Sequence, residues 1–214
     1  MESSVRDRTA DAPDPTRDQT AQVQTARVIE TKPVTADPGP LGLAAFALTT
    51  FVLSIFNSGL MSEAGLPIVL GLAQLLAGMW EFRTGNTFGA VAFTSYGAFW
   101  LSFWAFEQFY AKEITDKVTL GNAVGLFLIA WGIFTAYMFI ASLRTSVAIA
   151  VVFFLLAVTF IVLGIGNAEA DQGIVHTGGY IGIATAIAAW YASFAAVTNS
   201  TFGRIVLPVK ELKK

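Results

Sequence analysis

Six stretches without a charged residue run through the chain, at 38–62, 64–80, 84–106, 118–143, 145–168 and 172–203, together 147 of its 214 positions. Crossing about 30 Å of hydrocarbon at 1.5 Å per residue takes roughly 20 residues, so each stretch holds one helix and none comfortably holds two. A β-barrel strand would alternate apolar and polar positions, whereas VVFFLLAVTFIVLGIG at 151–166 is apolar on every face. The pattern predicts an all-α integral membrane protein with six transmembrane helices, over about 41–61, 65–81, 87–108, 119–142, 146–167 and 175–198. The second stretch is the shortest, with 17 residues and a start near Pro67. Glu81 extends it by reaching for the interface, and a re-entrant segment is the alternative.

Lys and Arg in the breaks set the orientation. Arg27, Lys32, Arg83, Arg144, Arg204, Lys210, Lys213 and Lys214 fall on one side, against Lys112 and Lys117 on the other. The positive-inside rule therefore places both termini in the cytoplasm. Residues 1–36 are rich in Asp, Glu, Arg, Thr, Pro and Gln with no apolar run, the composition of a disordered cytoplasmic tail. They lack the basic region and apolar core of a cleaved signal peptide. A membrane domain over 37–206 and a short cytoplasmic tail over 207–214 complete the expected organisation. The first span opens at Asp37-Pro-Gly-Pro-Leu-Gly-Leu43, where Pro40 suits a first helical turn and Asp37 is placed to cap free amides.

Composition sharpens this picture by exclusion. The chain is 55% hydrophobic and 13% charged, too few charges to coat a soluble enzyme. A net charge of −2 argues against a nucleic-acid partner, which needs an excess of Lys and Arg. Without cysteine, and with His176 as the single histidine, there is no thiolate chemistry and no clustered zinc site. The chain carries no HExxH, Walker loop or GxSxG motif, so neither catalysis nor a cofactor is expected. Small residues at four-residue spacing, Gly121 and Gly125, then Gly178, Gly182 and Ala186, imply close helix packing, within one subunit or between subunits. A short echo between Ala98–Phe103 and Ala189–Phe194 fits an inverted three-plus-three repeat.

The chemistry left to consider is that of polar groups inside spans, which must face other helices or a water-filled path. In the first span Thr50, Ser54, Asn57 and Ser58 share a helical face, suited either to a pore wall or to a hydrogen-bonded interface. In the second, Gln74 and Glu81 lie on one side about 10 Å apart. Glu81 reads as an interfacial ion pair with Arg83 in preference to a proton relay. In the third, Asn86 and Thr87 open the helix, Thr94, Ser95 and Tyr96 sit halfway, and Trp100 follows one turn on. A tyrosine at that depth needs a partner for its hydroxyl and would serve as a gate for a small polar solute. His176, at the outer start of the last span, reads as a helix-end residue, with sensing of external pH as the alternative.

Several motifs together resemble the acetate uptake transporter family, the succinate–acetate permeases of bacteria and their fungal relatives, over about 37–209. They are the entry motif Asp37–Leu43, Gly85-Asn-Thr-Phe-Gly89 followed by Ala92-Phe-Thr-Ser-Tyr-Gly97 and Phe99-Trp100, Trp131-Gly-Ile-Phe-Thr135, and Phe202-Gly-Arg-Ile-Val-Leu-Pro208. The resemblance implies a homohexamer of six-helix subunits, each with its own path for acetate through a Phe, Tyr and Leu constriction. On matching positions these are Phe46, Tyr96 and Leu156, with Trp131 and Thr135 along the path beside the polar residues named above. The family's entry motif usually begins Asn-Pro-Ala. Here it begins Asp37-Pro-Gly, and an acid at that mouth would repel a carboxylate unless engaged in capping.

The expected function is movement of acetate, with other short carboxylates such as succinate, across the cytoplasmic membrane, as a channel or a proton symporter. The expected partners are that solute, membrane lipid and further copies of the chain. A channel for ammonium or another small neutral solute, and a structural subunit without transport, are the alternatives.

Overall fold

The computed structural model describes residues 35–61 and 70–212. The predicted disordered tail, apart from its last two positions, lies outside the described residues. So do Pro67, the predicted start of the second span, and Lys213 and Lys214. Six α-helices follow in order: α1 (Gly39–Asn57), α2 (Leu70–Thr84), α3 (Thr87–Ala105), α4 (Lys117–Ser142), α5 (Val147–Ala168) and α6 (Gln172–Phe202). A π turn at Phe106–Tyr110 and a 3-10 turn at Ala111–Glu113 join α3 to α4. Four of the helices, α1, α4, α5 and α6, are long and apolar enough to cross a membrane. Of the other two, α2 is described over 15 residues, and the 19 residues of α3 include Thr94, Ser95, Tyr96 and Ser102, which lower its hydropathy.

Polar residues at the helix starts act as caps. Asn86 accepts from the Gly89 amide at the start of α3, and Ser146 accepts from Ile149 at the start of α5. Asp116 takes the amides of Val118 and Thr119 at α4, and Asp171 those of Gly173 and Ile174 at α6. Each satisfies donors that the first turn leaves free. Asp37 accepts from the Gly39 amide at 2.8 Å, with Pro40 in the first turn of α1, as its motif leads one to expect. Gly203 ends α6 at φ 63°, the left-handed region that glycine enters without a steric cost.

Neighbouring backbones approach where side chains are small. On the α2–α3 seam Gly71 lies against Trp100, Gly97 against Leu75, and Gly78 against the backbone of Thr94. On the α4–α5 seam Gly121 meets the Asn167 carbonyl and Gly125 that of Gly164. Gly178 packs on Leu163 of α5, while Gly179 and Gly182 of the same α6 meet the Asn57–Ser58 backbone and Ser54 of α1. The four-residue spacing of small residues therefore serves contacts within one chain. In the same way, the Ser54–Ser58 part of the first polar stripe belongs to a helix interface.

The bundle thus runs α3, α2, α1, α6, α5, α4 by close contact, whereas α3 and α4 scarcely approach each other through their backbones. Aromatic side chains bridge that separation. Phe99 of α3 lies 5.5 Å from Phe127 and 5.2 Å from Trp131 of α4, measured between ring centroids. At the end of α6 the chain turns back on itself. Residues 206–212 lie along α5 and α6: the amides of Val147 and Ala148 donate to the Lys210 and Val209 carbonyls, Leu212 donates to Thr145, and Tyr191 Oη donates to the Pro208 carbonyl. Asn199 adds three hydrogen bonds to Val206 and Leu207.

Candidate functional site

Tyr96, halfway along α3 and 2% exposed, occupies the middle of the bundle. Rings from three other helices surround it: Phe46 of α1 at 5.8 Å, Trp131 and Phe134 of α4 at 5.8 and 5.4 Å, and Phe153 and Phe160 of α5 at 6.0 and 6.5 Å. Leu156, 3% exposed, belongs to the same buried cluster. Phe46 and Tyr96, named from different spans, are thus in ring contact, and Leu156 from a third span belongs to the same buried cluster. The phenol oxygen lies 2.9 Å from Thr135 Oγ1, and Thr135 donates its one hydroxyl proton to the Trp131 carbonyl at 2.7 Å. It follows that Tyr96 donates to Thr135, and its oxygen keeps the capacity to accept a hydrogen bond. Offset and edge-on ring pairs of this kind add about 0.5–1.5 kcal/mol each beyond burial, so the ring cluster is firmly packed as well as apolar.

A second group of residues follows the α1–α2–α3 seam. Thr50 Oγ1, both amide atoms of Gln74, Thr94 Oγ1, Trp100 Nε1 and Glu81 Oε1 are buried without a hydrogen-bond partner in the protein. Gln74 and Glu81 are each 1% exposed. An orphaned buried polar atom costs about 1–3 kcal/mol, so each of these groups calls for a polar partner. Other expected path residues lie apart from it. Asn86 and Thr87 are exposed at the start of α3, Asn57 ends α1, and Ser95 is half-buried next to Tyr96 in the chain.

Glu81 does not pair with Arg83. Its neighbours are Thr84, whose hydroxyl donates to Oε2 at 3.1 Å, and the Asn86 amide, while Arg83 is exposed. Residues two apart on a helix point away from each other, which the expected ion pair overlooked. His176 is exposed on the first turn of α6, next to Gly59. Sequence reasoning also passed over the ring cluster around Tyr96. Its signal is present as Phe127, Trp131 and Phe134 on one face of α4 and Phe153, Leu156 and Phe160 on one face of α5, at spacings of three and four. Between α3 and α4, Phe103, Tyr110 and Phe127 line a groove of about 430 Å³ on the π-turn side. Among the described residues, no cluster of His, Cys, Asp or Glu is arranged to hold a metal.

The sequence pattern described as the GPR1/FUN34/yaaH family matches residues 19–214. The chain belongs to this family. Relatives of the GPR1/FUN34/yaaH chain include acetate permease A of Emericella nidulans, 40% identical over 195 residues, which cover 81% of this chain and 65% of that protein. The succinate-acetate/proton symporter SatP of Escherichia coli K12 is 39% identical over 181 residues, 82% of this chain and 96% of the relative. Ammonia transport outward protein 2 of Saccharomyces cerevisiae is 40% identical over 178 residues, 77% of this chain and 62% of that protein. This chain thus spans about two thirds of the length of its fungal relatives and nearly all of the bacterial one. A solved structure described as the bacterial acetate channel SatP superposes with a TM-score of 0.76 at 38% identity, covering 82% of this chain and 99% of that one. The GPR1/FUN34/yaaH chain is accordingly a multi-pass helical membrane protein.

Proposed function

We propose that this chain carries acetate, and succinate more slowly, across the cytoplasmic membrane along a path inside each subunit, with the aromatic neck at Phe46, Tyr96 and Leu156 as its narrowest point. The observation that carries the proposal is the single buried tyrosine ringed by apolar side chains, with orphaned polar atoms at Thr50, Gln74, Thr94 and Trp100 on the adjoining seam. Among the described residues no Lys or Arg lines the neck, and a bare carboxylate among aromatic rings would carry the full cost of desolvation. The solute therefore crosses the neck as the neutral acid. Its methyl group passes the rings while its carboxyl exchanges hydrogen bonds with Gln74, Thr50 and the Trp100 indole. Trp131 and Thr135 position the Tyr96 hydroxyl, and Asn57, Asn86, Thr87 and Ser95 line the approaches. The names of the E. coli relative and of the solved structure agree with this reading.

All six helices span the membrane in this reading, with both termini in the cytoplasm and six copies assembled around an axis. The apolar residues that α2 and α4 turn outward support such an arrangement. Leu72, Leu76, Met79 and Trp80 on α2, and Leu126, Ile133 and Ile140 on α4, are exposed on the single subunit, as faces meant for lipid or another copy are. Proteoliposomes holding the purified protein should take up radiolabelled acetate faster than empty liposomes, and excess unlabelled acetate should block the uptake. Labelled ammonium or methylammonium moving in its place would show the solute to be wrong.

A further inference from the structure

Glu81 is a carboxyl group in the last turn of α2 that is buried but has no cation. It is 1% exposed, and its Oε1 has no hydrogen-bond partner. The carboxyl fills a cradle between the starts of α1 and α3. A β-carbon at Gly89 would lie 2.7 Å from Oε1, and one at Gly39 would lie 3.4 Å from it. A side chain at Gly89 would displace the carboxyl, whereas a β-carbon at Gly39 would stand in ordinary contact with it. The groups facing it are Thr84 on its own helix, Asn86 and Gly89 from α3, and Asp37 ahead of α1. Asp37 is the one charged group among them, and its Oδ1 lies 3.0 Å from the same Gly39 β-carbon position. Along α1 the step from Phe46 through Gly42 to Gly39 is seven residues, about 10 Å. Glu81 therefore sits about two turns beyond the neck on the Asp37 side.

From this geometry we infer that Glu81 receives the proton of the acid that has passed the neck and hands it towards Asp37 and the water at the mouth. The inference rests on the transport reading above. An acid that crosses the rings in neutral form must lose its proton before its anion is released. The O–H bond of the incoming acid breaks as an O–H bond forms on the Glu81 carboxylate. The solute leaves as an anion, Glu81 is left neutral, and the proton then passes to water, with no change of oxidation state. The Thr84 hydroxyl and the Asn86 amide donate to the carboxylate form, whereas burial and the charge of Asp37 oppose it. A group held between such opposing influences is suited to gaining and losing a proton in every cycle.

The test is the initial rate of labelled acetate uptake into right-side-out membrane vesicles containing the full-length chain. External pH is held fixed, lumenal pH is varied, and vesicles without the chain are subtracted. Wild-type uptake should slow as the lumen is acidified, because Glu81 then stays protonated. Glu81→Gln should be about tenfold slower and insensitive to lumenal pH, and Glu81→Asp should recover the sensitivity with a shifted midpoint. A Glu81→Gln protein with the wild-type rate and lumenal pH profile overturns the inference. So does a folded Glu81→Gln protein whose activity Glu81→Asp does not restore, since that marks a packing role. Should Glu81→Gln fail to fold, an unshifted midpoint in Glu81→Asp overturns it equally. Wild-type vesicles that take up no acetate at any lumenal pH overturn the transport reading, and this inference with it.

Discussion

The hydroxyl of Tyr96 has one donor, and Thr135 takes it. Tyr96→Phe should therefore leave the neck closed by the same ring and remove only a buried hydrogen bond. The expected loss is about 1 kcal/mol, read as a small drop in melting temperature in detergent. Tyr96→Ala removes the ring itself, with an expected cost of about 3–5 kcal/mol because the surrounding aromatics collapse incompletely. In a protein that still folds, the wider neck should raise succinate uptake relative to acetate, measured as a ratio of initial rates. An unchanged ratio would remove Tyr96 from the path. At the water-exposed end of α4, hydrogen bonds from the hydroxyl and amide of Thr119 hold the Asp116 carboxyl below the usual aspartate range. A lowered value in the folded state means that this cap contributes fully above the unfolded value, near 3.9, and is lost as pH falls through the lowered one. Hydrogen exchange at the amides of Val118 and Thr119 should therefore stay protected at pH 5 and lose protection only at more acid pH.

Helices in this bundle are placed by what they lack. A β-carbon at Gly78 would meet the backbone of Thr94, so a larger residue there has to push α2 from α3. Gly78→Val should cost about 1–3 kcal/mol or more and disturb the Gln74 and Trp100 groups on the same seam, seen as lower thermal stability with reduced uptake. Much of this was legible in advance. The breaks between uncharged stretches hold Asp116 and Asp171, which became caps, and the small-residue spacing marked seams that proved to lie within the chain. Two features were not legible, for separate physical reasons. Glu81 and Arg83 are two apart in sequence and opposite in charge, but helix geometry turns them apart, so Glu81 faces the bundle and Arg83 does not. The rings around Tyr96 come from stretches apolar on nearly every side, so their three- and four-residue spacing does not stand out from the apolar residues around it.

For the molecule as a whole, the return of residues 206–212 across the starts of α5 and the end of α6 was hidden in a segment too short and mixed to read as structure. The Val147 and Ala148 amides bond to carbonyls in this segment. Truncation after Arg204 should therefore lower the melting temperature and loosen the α5 start, detectable as faster hydrogen exchange at those two amides. Normal protection in the truncated chain would show the segment to be dispensable. The separation of α3 from α4 has a different kind of consequence. The backbones there are kept apart by rings, not by glycines in contact, so any clearance along the proposed path would be set by replaceable side chains while the close seams stay untouched. A single codon change at one ring can then alter which solute fits without the scaffold having to be rebuilt. Within one lineage, substrate preference is free to drift much faster than architecture.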